Sequence, residues 1–130
     1  MKRYTLRILI IFLFISFNPL HAEAEKTIEG TVMDYFEVLR NGDIDAIKYY
    51  VAEDLYREKK ALLEKNEDYP EFLRSFYQGK ELRTLNSTQA GDAAVAEIGI
   101  YSSDDLINVT KIRLKRDSDN TWKIVKENID

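Results

Sequence analysis

The chain has 130 residues, 45% of them hydrophobic and 32% charged, with a formal net charge of −4, no cysteine and one histidine, His21. A length of this order allows one domain, and the lack of cysteine, with the only histidine so close to the N-terminus, excludes Cys or His nucleophiles, a Ser-His-Asp relay and thiolate or imidazole zinc sites from the chain beyond residue 21. The acidic balance disfavours nonspecific binding to nucleic acid or anionic membrane, because each phosphate contact needs a cation and the field as a whole repels.

Lys2, Arg3 and Arg7 precede an apolar run over residues 8–17 that is interrupted only by Ser16. Asn18-Pro19 breaks the run, and small residues follow at Ala22 and Ala24. This is the order of a secretory signal peptide. Residues 1–22 are assigned to a cleavable leader and 23–130 to the exported domain, with Ala24 as the alternative cleavage point. The apolar stretch is about half of the roughly 20 residues that span a bilayer, so no membrane attachment is expected after cleavage. Removal takes Lys2, Arg3 and Arg7 and makes the remainder more acidic. The expected location is periplasmic or secreted, and the lack of disulfides favours a bacterial periplasm.

From Thr27, Ile28, Val32, Tyr35, Phe36 and Leu39 recur at helical spacing. Asn41-Gly42 closes this helix and Asp43 caps a short second one that buries Ile44, Ile47, Tyr50 and Val51. Residues 53–67 are highly charged and predict a mostly exposed helix with Leu55, Tyr56, Leu62 and Leu63 on its inner side. Asp68, Pro70 and Glu71 supply a cap, an early proline and an acid for a further helix, which carries Phe72, Leu73, Phe76 and Tyr77 and ends at Gly79. Beyond Gly79 the pattern alternates, with turn signals at Ala90-Gly91-Asp92, residues 102–105 and residues 117–120. Strands are predicted over 81–89, 93–101, 106–116 and 121–128, and such short connections make them antiparallel. The fold class is therefore α+β: N-terminal helices packed on a four-stranded antiparallel sheet.

The stretch Val32-Met33-Asp34-Tyr35-Phe36-Glu37-Val38-Leu39-Arg40-Asn41-Gly42-Asp43-Ile44-Asp45-Ala46-Ile47 resembles the opening of the nuclear-transport-factor-two-like (cystatin-like) superfamily. These are cone-shaped α+β rolls that include ketosteroid isomerase and many small bacterial exported domains. The shared pattern is a helix with an aromatic residue one turn before its last Leu, then Asn-Gly-Asp-x-Asp, then a short helix. Thr121-Trp122-Lys123-Ile124-Val125 also looks like the family's last strand. The resemblance implies a curved sheet wrapped around the helices with an apolar pocket at the open end. Tyr35 matches the isomerase tyrosine that donates a hydrogen bond to the developing oxyanion. The position of the isomerase's general-base aspartate falls at Lys59, and an ammonium cannot take a proton at neutral pH unless burial lowers its pKa far. Its neighbours Glu58 and Lys60 predict exposure, so isomerase activity is not carried over.

Tyrosine outnumbers the other aromatic types, and each buried hydroxyl needs a partner. A cavity for an amphipathic ligand, or a partner-binding surface, accounts for that excess. The candidate ligand-binding residues are Tyr35, Tyr50, Phe76, Glu97, Tyr101 and Trp122. Helical or strand periodicity also explains Tyr35, Phe72, Phe76 and Trp122 as ordinary core. Lys111, Arg113 and Lys115 share one face of the third strand, which reads as a solvated face or as a dimer surface, and Glu97 is expected to pair across strands with Lys111 or Arg113.

The function these readings lead to is a noncatalytic exported binding or accessory domain for a small apolar or amphipathic ligand or an envelope protein. No catalytic residue, cofactor or metal is assigned. One alternative is an isomerase- or cyclase-type enzyme using Tyr35 with Glu97 or Asp34. Another is a structural homodimer module.

Overall fold

A computed structural model describes residues 27–128; the predicted leader lies outside the described residues. Helix α1 spans Ile28–Asn41 and starts where the Thr27 hydroxyl accepts the Gly30 N–H at 2.9 Å. Its buried stripe is Val32, Tyr35, Phe36 and Leu39, the periodic set read from the sequence except Ile28, which is partly buried against the core. The helix ends at Gly42 with φ 68°, whose N–H donates to the Leu39 carbonyl. A Cβ at position 42 would lie 2.7 Å from Arg74 Nη1 and 2.8 Å from the Pro70 carbonyl oxygen. Glycine is thus required twice, by backbone conformation and by the close approach of the third helix.

The short second helix is a 3₁₀ helix over Asp45–Tyr49 that buries Ile47, with the Asp43 carboxylate accepting the Ala46 N–H at 3.3 Å. It does not continue through Tyr50 and Val51 as the pattern predicted. Tyr50 closes the helix in a turn, its N–H donating to the Ile47 carbonyl, and the chain then pairs with the last strand: Ile124 N–H donates to the Tyr50 carbonyl and Ala52 N–H to the Ile124 carbonyl, both at 2.8 Å, with Val51 and Ile124 bridged in parallel. Sheet pairing satisfies these backbone groups where a longer helix would leave the last strand's edge bare.

Helix α2 spans Glu53–Lys65 and fully buries only Leu55. Helix α3 spans Tyr69–Tyr77 and buries Leu73 and Tyr77. Two expectations fail here. Phe72 and Phe76 are 58% and 37% exposed, because so short a helix buries one narrow i, i+4 stripe, and these two rings stack on each other 6.0 Å apart beside it. Asp68 makes no side-chain cap; instead its own N–H donates to the Asn66 side-chain oxygen at 3.1 Å.

Strands β1 (Glu81–Ala90), β2 (Ala93–Ser102), β3 (Asp105–Arg116) and β4 (Trp122–Glu127) form an antiparallel meander in sequence order. Gly91 (φ 60°) helps turn the first hairpin, and Ser103 (φ 49°) and Asp104 (φ 70°) turn the second in the doubly left-handed form that suits strand twist. The inner face presents Ala94, Ala96 and Ile98 from β2, Ile112 and Leu114 from β3, and Trp122 and Ile124 from β4 to the α1 stripe. Register breaks at Thr84/Asn86, Ile100/Tyr101 and Arg113/Leu114 bend and twist the strands.

Candidate functional site

Glu127 is the last residue of β4 and lies opposite Ile112, so its side chain enters the space between sheet and helices. Two donors meet it there. Tyr35, fully buried on α1, gives its hydroxyl to Oε1, and Lys59 of α2 gives Nζ to Oε2 at 2.8 Å. The Lys59 and Glu127 side chains are 13% and 18% exposed, which corrects the expectation that Lys59 is exposed. The composition of residues 53–67 is that of a solvated helix, yet this position faces inward because α2 rests on β4.

A cavity of about 160 Å³ opens beside the pair, lined among others by Phe36, Lys59, Phe76, Thr110, Ile112 and Glu127. Its polar wall is extended by the Thr110 hydroxyl, which donates to Asn128 Oδ1 at 2.6 Å. Burial pushes the Glu127 carboxyl up to about 7 and pulls the Lys59 ammonium below its ordinary value, with Glu58 opposing the latter. The ion pair works against both shifts, but removing charge from water is the larger effect at this depth. Burial also pushes the Tyr77 phenol on the same wall to about 12, so it remains a neutral donor. The site thus combines a carboxyl that titrates near neutrality, a cation and hydroxyls with aromatic walls.

Of the six candidate residues, the structure brings Tyr35 and Phe76 to this end of the domain. Trp122 is buried at the other end of β4, under the Arg116 guanidinium at 4.6 Å. Tyr50 packs against the core margin beside Ile124. Glu97 and Tyr101 alternate with the inward Ile98 and Ile100 and so lie on the outer face, where Glu97 meets Lys111 at 3.5 Å and Tyr101 lies 4.1 Å beneath Arg83. The sheet therefore separates Glu97 from Tyr35, and the two cannot share a cavity. Asp34, adjacent to Tyr35 on α1, is offset by about 100° around the helix. Glu127 is the carboxylate that sequence reasoning missed.

No family model and no curated protein matches the sequence. Among solved structures, one described as an NTF2-like transpeptidase from Campylobacter jejuni superposes with a TM-score of 0.60 at 14% identity, covering 78% of this chain and 99% of that one. The fold is NTF2-like. A SEC-C motif containing protein from Rhodopseudomonas palustris matches with a TM-score of 0.52 at 14% identity, over 87% of this chain and 88% of its own. The NTF2-like fold puts α1 across the inner face of the meander, and the cavity at Glu127 lies between these two layers.

Proposed function

We propose that this is a noncatalytic binding or accessory domain that holds a small amphipathic ligand in the cavity beside Tyr35, Lys59 and Glu127. The observation that carries the reading is a largely buried ion pair at the edge of the core where a cavity opens on it. Desolvation costs several kcal/mol per ion, and apolar side chains of similar volume would make a more stable core. Polar groups that converge on a cavity beside apolar side chains, here with Asn108 and Thr110 next to Phe36 and Ile112, are what orient a bound ligand. A volume of about 160 Å³ restricts the occupant to a few heavy atoms, or to the tip of a longer molecule entering past half-exposed Phe76. The leader over residues 1–22 supports a periplasmic or secreted location, which N-terminal sequencing of the protein recovered outside the cytoplasm would test.

The ligand reading is tested by titrating isotope-labelled protein with a library of small amphipathic fragments. Saturable shifts are expected at Phe76, Thr110 and Ile112, weakened in Glu127→Gln. A library that leaves all these residues unmoved would dispose of the reading.

One observation favours an isomerase-type enzyme as a second reading. A carboxyl near neutrality suits a general base, and Glu127 has one on the cavity wall, with the Tyr35 hydroxyl bonded to it and the Lys59 ammonium beside it to stabilise an oxyanion. Such an enzyme would exchange α-protons of an enolisable ketone for deuterium in heavy water and lose that ability in Glu127→Gln. Exchange no faster than in buffer across a panel of ketones counts against catalysis.

A further inference from the structure

A second and larger cavity, of about 710 Å³, lies between the start of α2 and the β3–β4 hairpin. Its apolar wall includes Val51, Tyr56 and Val125, and its rim carries Lys48, Lys115 and Lys123. This volume falls within the range of small-molecule sites, and none of these residues belongs to the Glu127 cavity.

The cations at the rim are arranged at a cost. Lys115 lies directly opposite Lys123 in the β3–β4 ladder, and Arg113 lies opposite Lys126 one step further on. Like charges directly opposite one another destabilise a strand pair. Among the described residues neither Lys48 nor Lys115 has a carboxylate partner. The Lys48 ammonium sits 5.3 Å from the Tyr49 ring centre, and Lys123 Nζ is held by the Tyr49 carbonyl at 2.7 Å. The acids in the lining are committed elsewhere. Glu53 faces Arg57 at 3.7 Å, and the Asp117 carboxylate accepts the N–H groups of Asp119 and Thr121 at 3.0 and 3.1 Å. In a chain whose formal charge is −4, the lining sets Lys48, Lys115, Arg116 and Lys123 against Glu53 and Asp117, so this mouth is a local excess of positive charge above an apolar wall.

We propose that this cavity binds a free single-chain anionic amphiphile, with its apolar part against Val51, Tyr56 and Val125 and its anionic head among Lys48, Lys115 and Lys123. The occupant relieves the repulsion between Lys115 and Lys123 while burying apolar surface, so both halves of the ligand contribute. An uncharged chain lacks the first contribution and a cationic amphiphile reverses it. Higher salt weakens binding by screening the head group.

The test uses decanoate below its micellar concentration, with decyltrimethylammonium as the charge-reversed control and vesicles containing phosphatidylglycerol as a bilayer control. Calorimetry and amide shifts on the purified protein read binding. Saturable decanoate binding mapped to Val51, Tyr56 and Val125 is expected, with none for the cationic control. The double variant Lys115→Gln, Lys123→Gln should weaken decanoate by roughly tenfold or more, the loss of a charge-assisted contact, while Glu127→Gln leaves it unchanged. The unliganded double variant loses the Lys123–Tyr49 hydrogen bond together with the like-charge pair, two opposed effects, so it should melt close to the parent with the amide spectrum retained away from the substitutions, and weaker binding then cannot be put down to misfolding. Absence of saturable binding, equal binding of the cationic control, undiminished affinity in the double variant, or binding to vesicles alone would each overturn the proposal.

Discussion

Burial raises the Glu127 carboxyl from an ordinary value of 4.5 to about 7, so between those pH values the folded chain holds a proton that the unfolded chain has released. Stability from this group is fully present below the lower value and is lost as pH rises through the upper one. Melting temperature should therefore carry a component that falls between pH 5 and pH 8, and Glu127→Gln should remove it. Calorimetric melts of both proteins across that range check this, and parallel pH profiles would count against it. Lys59→Met probes the other half of the pair. Above pH 7 it strands a buried carboxylate and should cost about 3–5 kcal/mol, whereas near pH 5 the carboxyl protonates and the cost shrinks. Urea unfolding at both pH values gives the difference.

Among the elements, the junction of α1 and α3 depends on one backbone position. Gly42 is left-handed and has no room for a Cβ between Arg74 and Pro70, while Arg74 Nη1 donates to the Asn41 carbonyl at 3.2 Å across the same joint. Gly42→Ala should destabilise by more than about 1 kcal/mol, measured as a lowered urea midpoint with unchanged slope. Strand β4 shows why the site was hidden. Trp122 and Ile124 both face inward, and strict alternation would send Lys126 in and Glu127 out. The register break opposite Arg113/Leu114 leaves Lys126 across from Arg113 and Glu127 across from Ile112, which reverses that assignment. Lys59 was hidden for a related reason: the orientation of a mostly charged helix is decided by what it rests on, and of Leu55, Tyr56, Leu62 and Leu63, which its pattern puts inward, only Leu55 is fully buried while Leu62 stays exposed.

For the molecule as a whole, stability rests on one layer of side chains between α1 and the sheet. Ile124 is fully buried in that layer, with β3 on one side and the Tyr50–Ala52 segment on the other. Ile124→Ala should cost about 2–5 kcal/mol, a large share of the ~5–15 kcal/mol typical of a whole domain, and chemical denaturation reads it directly. At this scale charge is also unevenly distributed. The acidic chain gathers Arg113, Lys115, Lys123 and Lys126 onto the outer face of one hairpin, a clustering that net charge hides and strand register reveals.

Local chemistry was enough for the sequence to determine the α1 stripe and its glycine stop, the positions of the four strands, their antiparallel order and that Glu97 pairs across strands with Lys111 or Arg113, of which the register selects Lys111. Each depends on short-range periodicity or on turn residues whose backbone preferences act within a few positions. Only the tertiary structure decided that Tyr35, Lys59 and Glu127 meet, that Phe72 and Phe76 stay at the surface, and that Tyr50 to Ala52 join the edge of β4. Those outcomes depend on a bulge in β4, the seating of α2 and the narrow buried side of α3, each set by contacts between segments far apart in the chain.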